Sequence, residues 1–163
     1  MILIAYGANL PSQIGAPAET IRAALSRLSD NGVTPVAVSK FYATPAWPDP
    51  NDPSYVNGVA LVRTELVPAL LMKQLQETEL AFGRERTVRN APRTLDLDIL
   101  DFNGKVEAGP PQLPHPRLES RAFVLLTLRD VAPDWRHPVS GRSIDELIAM
   151  LPASEREAVR PLG

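Results

Sequence analysis

The stretch Asn90-Ala91-Pro92-Arg93-Thr94-Leu95-Asp96-Leu97-Asp98-Ile99-Leu100-Asp101-Phe102 alternates apolar and acidic residues from Leu95 onward. That period of two predicts a strand with Leu95, Leu97 and Ile99 on one face and Asp96, Asp98, Leu100 and Phe102 on the other. Residues two apart on a strand lie about 7 Å from one another, so both carboxylates can reach one hard cation or flank a pair of them. A bare Asp-x-Asp is commonly just the solvated face of an antiparallel sheet. Here the same face continues as apolar Leu100 and Phe102, and Arg84, Arg86, Arg89 and Arg93 crowd the residues just upstream. Guanidinium forks suit phosphates and carboxylates suit Mg²⁺, so the combination points to a metal–polyphosphate site.

Upstream of the arginines, Pro68 stands where a first helical turn favours it, and Leu71, Leu75 and Phe82 form a helical stripe that stops at Gly83. Gln76 and Glu79 share another side of that helix. Before it, Tyr55 to Thr64 reads as a strand with Val56, Gly58, Ala60 and Val62 on one face and Tyr55, Asn57, Val59 and Leu61 on the other. Both faces are apolar, so the sheet is expected to be covered on both sides. Asn57 is the polar exception; at a strand end it suits loop backbone as well as it suits a ligand. Farther back, Val33 to Ala43 reads as a strand interrupted near Ser39-Lys40. A helix is expected over 18–31, with Ile21, Leu25 and Leu28 inward and a stop at Asn31-Gly32. Ile2 to Tyr6 reads as a buried strand ended by Gly7-Ala8-Asn9-Leu10.

Downstream, Asn103-Gly104 signals a hairpin into Lys105-Val106. Arg121 to Val131 is expected to be helical. Ser143-Ile144-Asp145-Glu146 matches a capping box that opens a last helix, after which the final ten or so residues look frayed. The first hundred residues thus run strand, helix, strand, strand, helix, strand. This βαββαβ order is the ferredoxin-like α+β arrangement, an antiparallel sheet with two helices on one face. C-terminal helices on the other face make it a three-layer αβα domain spanning residues 1–163.

A net charge of −2 speaks against a general nucleic-acid binder. The absence of cysteine excludes disulfides, thiol nucleophiles and cysteine-ligated metal. No apolar run approaches the ~18 residues that span a bilayer, and no basic leader opens the chain, so a cytoplasmic protein is expected. Proline, at 17 residues, is about twice its usual share. It clusters at Pro45 to Pro53 and Pro110 to Pro116, read as stiffened loops.

The run from Arg89 to Leu100 resembles the signature of the hydroxymethyldihydropterin pyrophosphokinase family of folate biosynthesis. Gly7-Ala8-Asn9-Leu10, Thr44-Pro45, Tyr55-Val56-Asn57, Glu79 to Arg86, Pro114-His115-Pro116-Arg117 and Arg121-Ala122-Phe123 fall where that family's other elements fall, so the likeness covers nearly the whole chain. The resemblance implies transfer of the β,γ-pyrophosphoryl group of MgATP to the hydroxymethyl oxygen of 6-hydroxymethyl-7,8-dihydropterin, with release of AMP. It implies two Mg²⁺ ions on Asp96 and Asp98, and Arg84, Arg86 and Arg93 on the migrating and departing phosphates. For ATP it implies Gln76, Glu79, Arg93, Ile99 through its backbone, His115 and Arg121. For the pterin it implies a sandwich between Tyr55 and Phe123, with Asn57, Asp96 and the Thr44, Pro45 and Trp47 backbone at its polar edge. A monomer acting on small molecules alone is expected.

The sequence departs from the family pattern in places. Asn90 stands where well-known members carry a tryptophan, Pro116 replaces a tyrosine of some members, and Pro110 replaces a basic residue. Other classes also suit paired aspartates on such a fold, notably nucleotidyl-transfer or cyclase enzymes. An RNA-binding module would need exposed strand aromatics and a basic sheet, which the sequence lacks.

Overall fold

The structure, a computed structural model, describes residues 1–45, 49, 51, 53–83 and 94–162. The strands are β1 (Ile2–Ala8), β2 (Val33–Val38), β3 (Tyr42–Thr44), β4 (Tyr55–Thr64), β5 (Asp96–Phe102) and β6 (Arg160–Pro161). The α-helices are α1 (Pro17–Asp30), α2 (Pro68–Ala81), α3 (Ala122–Val131), α4 (Ile144–Ala149) and α5 (Ala153–Glu157). The sheet runs β5-β1-β4-β3-β6, with β2 also on β4, and every pairing is antiparallel. If β2 and β3 are taken as one broken strand, this is the ferredoxin-like order. The break at Ser39 is closed by side chain and backbone together, since Ser39 N–H donates to Val59 O and Val59 N–H to Ser39 Oγ.

Each face of the sheet has its own core. Ile4, Ala60, Val62, Leu97 and Ile99 pack beneath Ile21, Ala24 and Leu28 of α1 and Leu71 and Leu75 of α2. Leu3, Val59 and Leu100 pack beneath Val124, Leu125 and Leu128 of α3 and Ile144 and Leu147 of α4. The expected three layers are therefore present. Ser143 caps α4 as the box requires, its Oγ accepting from Glu146 N–H at 3.1 Å. Among the described residues no helix is long and apolar enough to cross a membrane.

The structure corrects four local expectations. β1 continues through Ala8, because Gly7 and Ala8 keep partners on β4 and Gly7 also keeps one on β5. Phe102 leaves the aspartate face: Leu3 pairs with Asp101 and Ile4 with Ile99, so Leu100 is one residue too many and the alternation inverts. Phe102 joins the first core, and the buried Asp101 carboxylate turns to the second, accepting from Trp135 Nε1 at 2.8 Å and Gly104 N–H at 3.0 Å. Asn103-Gly104 does turn, with φ of 52° and 73°, but Lys105-Val106 forms no strand. The chain instead makes a single bridge, Glu107 with Leu113. Finally, the tail expected to fray forms α5 followed by β6 on the edge of β3.

Gly58 shows how tightly β4 meets β1. A Cβ there would sit 2.3 Å from Tyr6 Cε1, so only glycine lets the Tyr6 ring lie across the sheet.

Candidate active site

The second-core face of the sheet carries the site at the end where β1 runs out. Its small residues Ala5 and Gly7 form a floor between two sets of functional side chains. Gly7 pairs with Asn57 of β4 on one side and with Asp96 of β5 on the other; Ala5 pairs with Val59 and Asp98. Since neighbouring strands are about 4.8 Å apart, Asn57 and Asp96 are separated by roughly 10 Å. A Cβ on Gly7 would meet Asn57 Oδ1 at 2.7 Å. Glycine therefore clears the space into which the Asn57 amide turns.

Above this floor is a cavity of about 560 Å³ lined by Thr44, Pro45, Tyr55, Asn57, Asp96, Asp98, His115, Arg121 and Phe123, among others. Nine of the expected site residues thus share one space. Asn57 is buried, and its Nδ2 donates to Thr44 Oγ1 at 2.6 Å. That bond fixes which way the amide points. The first turn of α3 supplies Ala122, Phe123 and Val124 to the roof. The Arg121 guanidinium lies 5.6 Å from the Phe123 ring centroid, which holds the ring by a cation–π contact.

A second cavity of about 300 Å³ lies beyond β5, with Gln76, Ile99, Pro110, Gln112 and Pro116 on its walls. Asp98 and His115 line both cavities. The two spaces therefore meet at the aspartate strand, an arrangement that suits a substrate with one end in each.

His115 stands at that junction. Its backbone N–H donates to Leu100 O at 2.9 Å, tying the proline-rich loop to the outer edge of β5. Its Nδ1 accepts from Arg117 N–H at 3.1 Å, so in the neutral ring the proton is on Nε2. Burial, the Arg121 charge and, more weakly, Arg117 push its pKa from 6.5 down to about 4, against an opposing pull from Asp96. At neutral pH it is an uncharged donor. The unfolded chain takes up this proton as pH falls through about 6.5, whereas the folded chain resists until about 4. The stability His115 contributes is complete above that window and is lost across it on acidification. Denaturant midpoints at pH 7 and pH 4.5 should therefore fall less for His115→Asn than for the wild type. Equal losses would contradict this.

Glu79 lines neither cavity. It is 1% exposed, and its Oε2 accepts from Leu97 N–H at 2.9 Å. That bond pins the β5 backbone to α2 between the two aspartates. Arg84, Arg86, Arg93, Asn90 and Trp47 lie outside the described residues. Sequence reasoning missed Gly7, Ala5, Arg117, Ser120 and the C-terminal Glu155, Ala158 and Val159, all on the larger cavity's wall. Cross-strand register brings Gly7 and Ala5 there and chain return brings Glu155, Ala158 and Val159, neither of which leaves a mark in local pattern, whereas Arg117 and Ser120 are close in the chain to His115 and Arg121.

Comparison with known proteins identifies the family. A model of the 7,8-dihydro-6-hydroxymethylpterin-pyrophosphokinase family matches residues 3–133. The 2-amino-4-hydroxy-6-hydroxymethyldihydropteridine pyrophosphokinase of Pseudomonas aeruginosa is 43% identical over 93% of this chain and 91% of its own length. The protein of the same name from Methylorubrum extorquens is 36% identical over 93% and 96%. A solved HPPK-DHPS chain of Plasmodium falciparum gives a TM-score of 0.66 at 14% identity, over 91% of this chain. The chain spans only 43% of that longer one, and at such identity the likeness speaks for the fold.

Proposed function

The chain belongs to the 7,8-dihydro-6-hydroxymethylpterin-pyrophosphokinase family, and we propose that it works through Asp96 and Asp98 as a Mg²⁺-dependent enzyme of two metal ions. It transfers pyrophosphate from ATP to the hydroxymethyl group of 6-hydroxymethyl-7,8-dihydropterin, releasing AMP, in folate biosynthesis. The observation that carries the site assignment is the shared cavity: the aspartates, the aromatic pair and Asn57 line one space, and Asp98 opens onto a second.

The pterin lies between Tyr55 and Phe123, its polar edge on Asn57 and the Thr44, Pro45 and Trp47 backbone and its hydroxymethyl arm toward Asp96. The roughly 10 Å between Asn57 and Asp96 accommodates a bicyclic ring and a short arm. The nucleoside of ATP enters the smaller cavity beside Gln76 and the Ile99 backbone, and its phosphates cross β5 at Asp98, His115 and Arg121. Pro110 and Pro116, which stand for a basic residue and for a tyrosine of some members, give that cavity apolar surface, with the Gln112 amide beside them.

Among the described residues no three His, Cys, Asp or Glu groups converge as a closed metal cage. Two carboxylates on a rigid strand nevertheless fit Mg²⁺, which keeps waters and takes substrate phosphates as its remaining ligands. Bound there, Mg²⁺ would neutralise phosphate charge and would lower the pKa of the attacking hydroxyl. The hydroxymethyl oxygen attacks the β-phosphorus and gives its proton to solvent water, and the bond from that phosphorus to the bridging oxygen breaks, the oxygen leaving on AMP. His115 donates from Nε2 to a phosphate oxygen. Arg84, Arg86 and Arg93 stabilise the charge that develops on the migrating and departing groups. Glu79 is a positioning residue that sets the spacing of the aspartates through Leu97. One chain supplies both cavities, which supports residues 1–163 acting as one domain and as a monomer, which we place in the cytoplasm.

The metal reading is tested by titrating Mg²⁺ at fixed ATP. Turnover should be absent with chelator and should keep rising after all ATP carries its first ion. Full activity in chelator would refute a metal role, and a plateau at one ion per ATP would refute the second ion.

A further inference from the structure

The family model's match ends at residue 133, yet the chain beyond it returns to the site. After α4 the chain forms α5, and Glu155, Ala158 and Val159 become part of the larger cavity's wall, facing the space that Tyr55, Asn57 and Phe123 also line. Val159 also packs on the second core. The segment is then tied down by backbone: Arg160 pairs with Ala43 and Pro161 with Tyr42, and Leu162 N–H donates to Phe41 O at 2.8 Å. The strand it edges, β3, ends at Thr44, whose hydroxyl holds the Asn57 amide.

We propose that this C-terminal segment, 153–162, is the specificity wall of the pterin subsite. Its side chains set the width of the slot, and its pairing with β3 keeps Thr44 and Asn57 in register. Ala158 is small where the cavity needs room for a flat bicyclic ring. A larger residue there narrows the slot for the pterin and leaves the ATP cavity beyond β5 untouched, because none of the tail residues lines that second space. The inference rests on the pterin subsite proposed above.

Two measurements test it. In hydrogen exchange on the wild-type protein, 6-hydroxymethyl-7,8-dihydropterin with a non-hydrolysable MgATP analogue should slow amides in both 54–61 and 153–162. Slowing in 54–61 alone overturns the tail's role and leaves the subsite standing. Slowing in neither removes the subsite, and the proposal with it. In the second, Ala158→Leu should raise the pterin Kd about tenfold, the effect of crowding a packed site by a kilocalorie or two, with the MgATP Kd within about twofold. An unchanged pterin Kd in a folded variant overturns the proposal, and the exchange experiment decides it without any variant.

Discussion

Asp98→Ala is expected to lower turnover by about a thousandfold or more while leaving the melting temperature close to that of the wild type. Among the described residues Asp98 is the one carboxylate that lines both cavities, so with His115 it borders the space proposed for the pterin arm and the space proposed for the nucleotide. Charge stabilisation in a water-poor site is where single groups carry large effects, about a hundredfold to a thousandfold for one lost donor. Loss of the metal ligand proposed above should be at least as severe. The fold should survive, because Asp98 is only half-buried and its neighbours Leu97, Ile99 and Leu100 carry the packing of β5. Steady-state rates with MgATP and pterin, with a thermal melt alongside, check both halves. A variant that melts normally and turns over within tenfold of wild type would remove Asp98 from the chemistry.

The next largest effect should fall on binding. Phe123→Ala is expected to weaken the pterin by about tenfold to a hundredfold, the range that alanine substitution gives for one face of a stacked heterocycle, with MgATP affinity changed far less. Phe123 is in the first turn of α3 and is held by the Arg121 guanidinium, so its ring is already in place before ligand arrives. Preorganisation of this kind puts the loss into affinity. Titration of the pterin by its own fluorescence measures it directly. A variant with unaltered pterin affinity and impaired nucleotide binding would assign the ring to the other substrate.

Much of the fold is legible in the sequence. Period-two alternation placed Asp96 and Asp98 together, and the apolarity of both faces of β4 announced helices on both sides of the sheet. The helical stripes of α1 and α2 end within a residue or two of their expected limits, because proline at the start and glycine or asparagine after the end are local signals, and α3 keeps its expected limits without them. What escaped is set by tertiary context. The extra residue at Leu100 is invisible in composition, yet it inverts the face of Phe102 and turns Asp101 toward Trp135. Gly7 looks like a turn residue until β4 and β5 close on either side of it. The tail looks frayed because five helical and two extended residues are too few to show a period. The resemblance supplied roles for His115 and Gln76 that their neighbours in sequence do not imply.

The product of the nucleotide is the most direct measurement. Purified protein, MgATP and 6-hydroxymethyl-7,8-dihydropterin should yield AMP and the pterin diphosphate in equal amounts, with no AMP when the pterin is omitted. Formation of ADP, or of AMP independent of the pterin, would contradict pyrophosphoryl transfer at the aspartate strand.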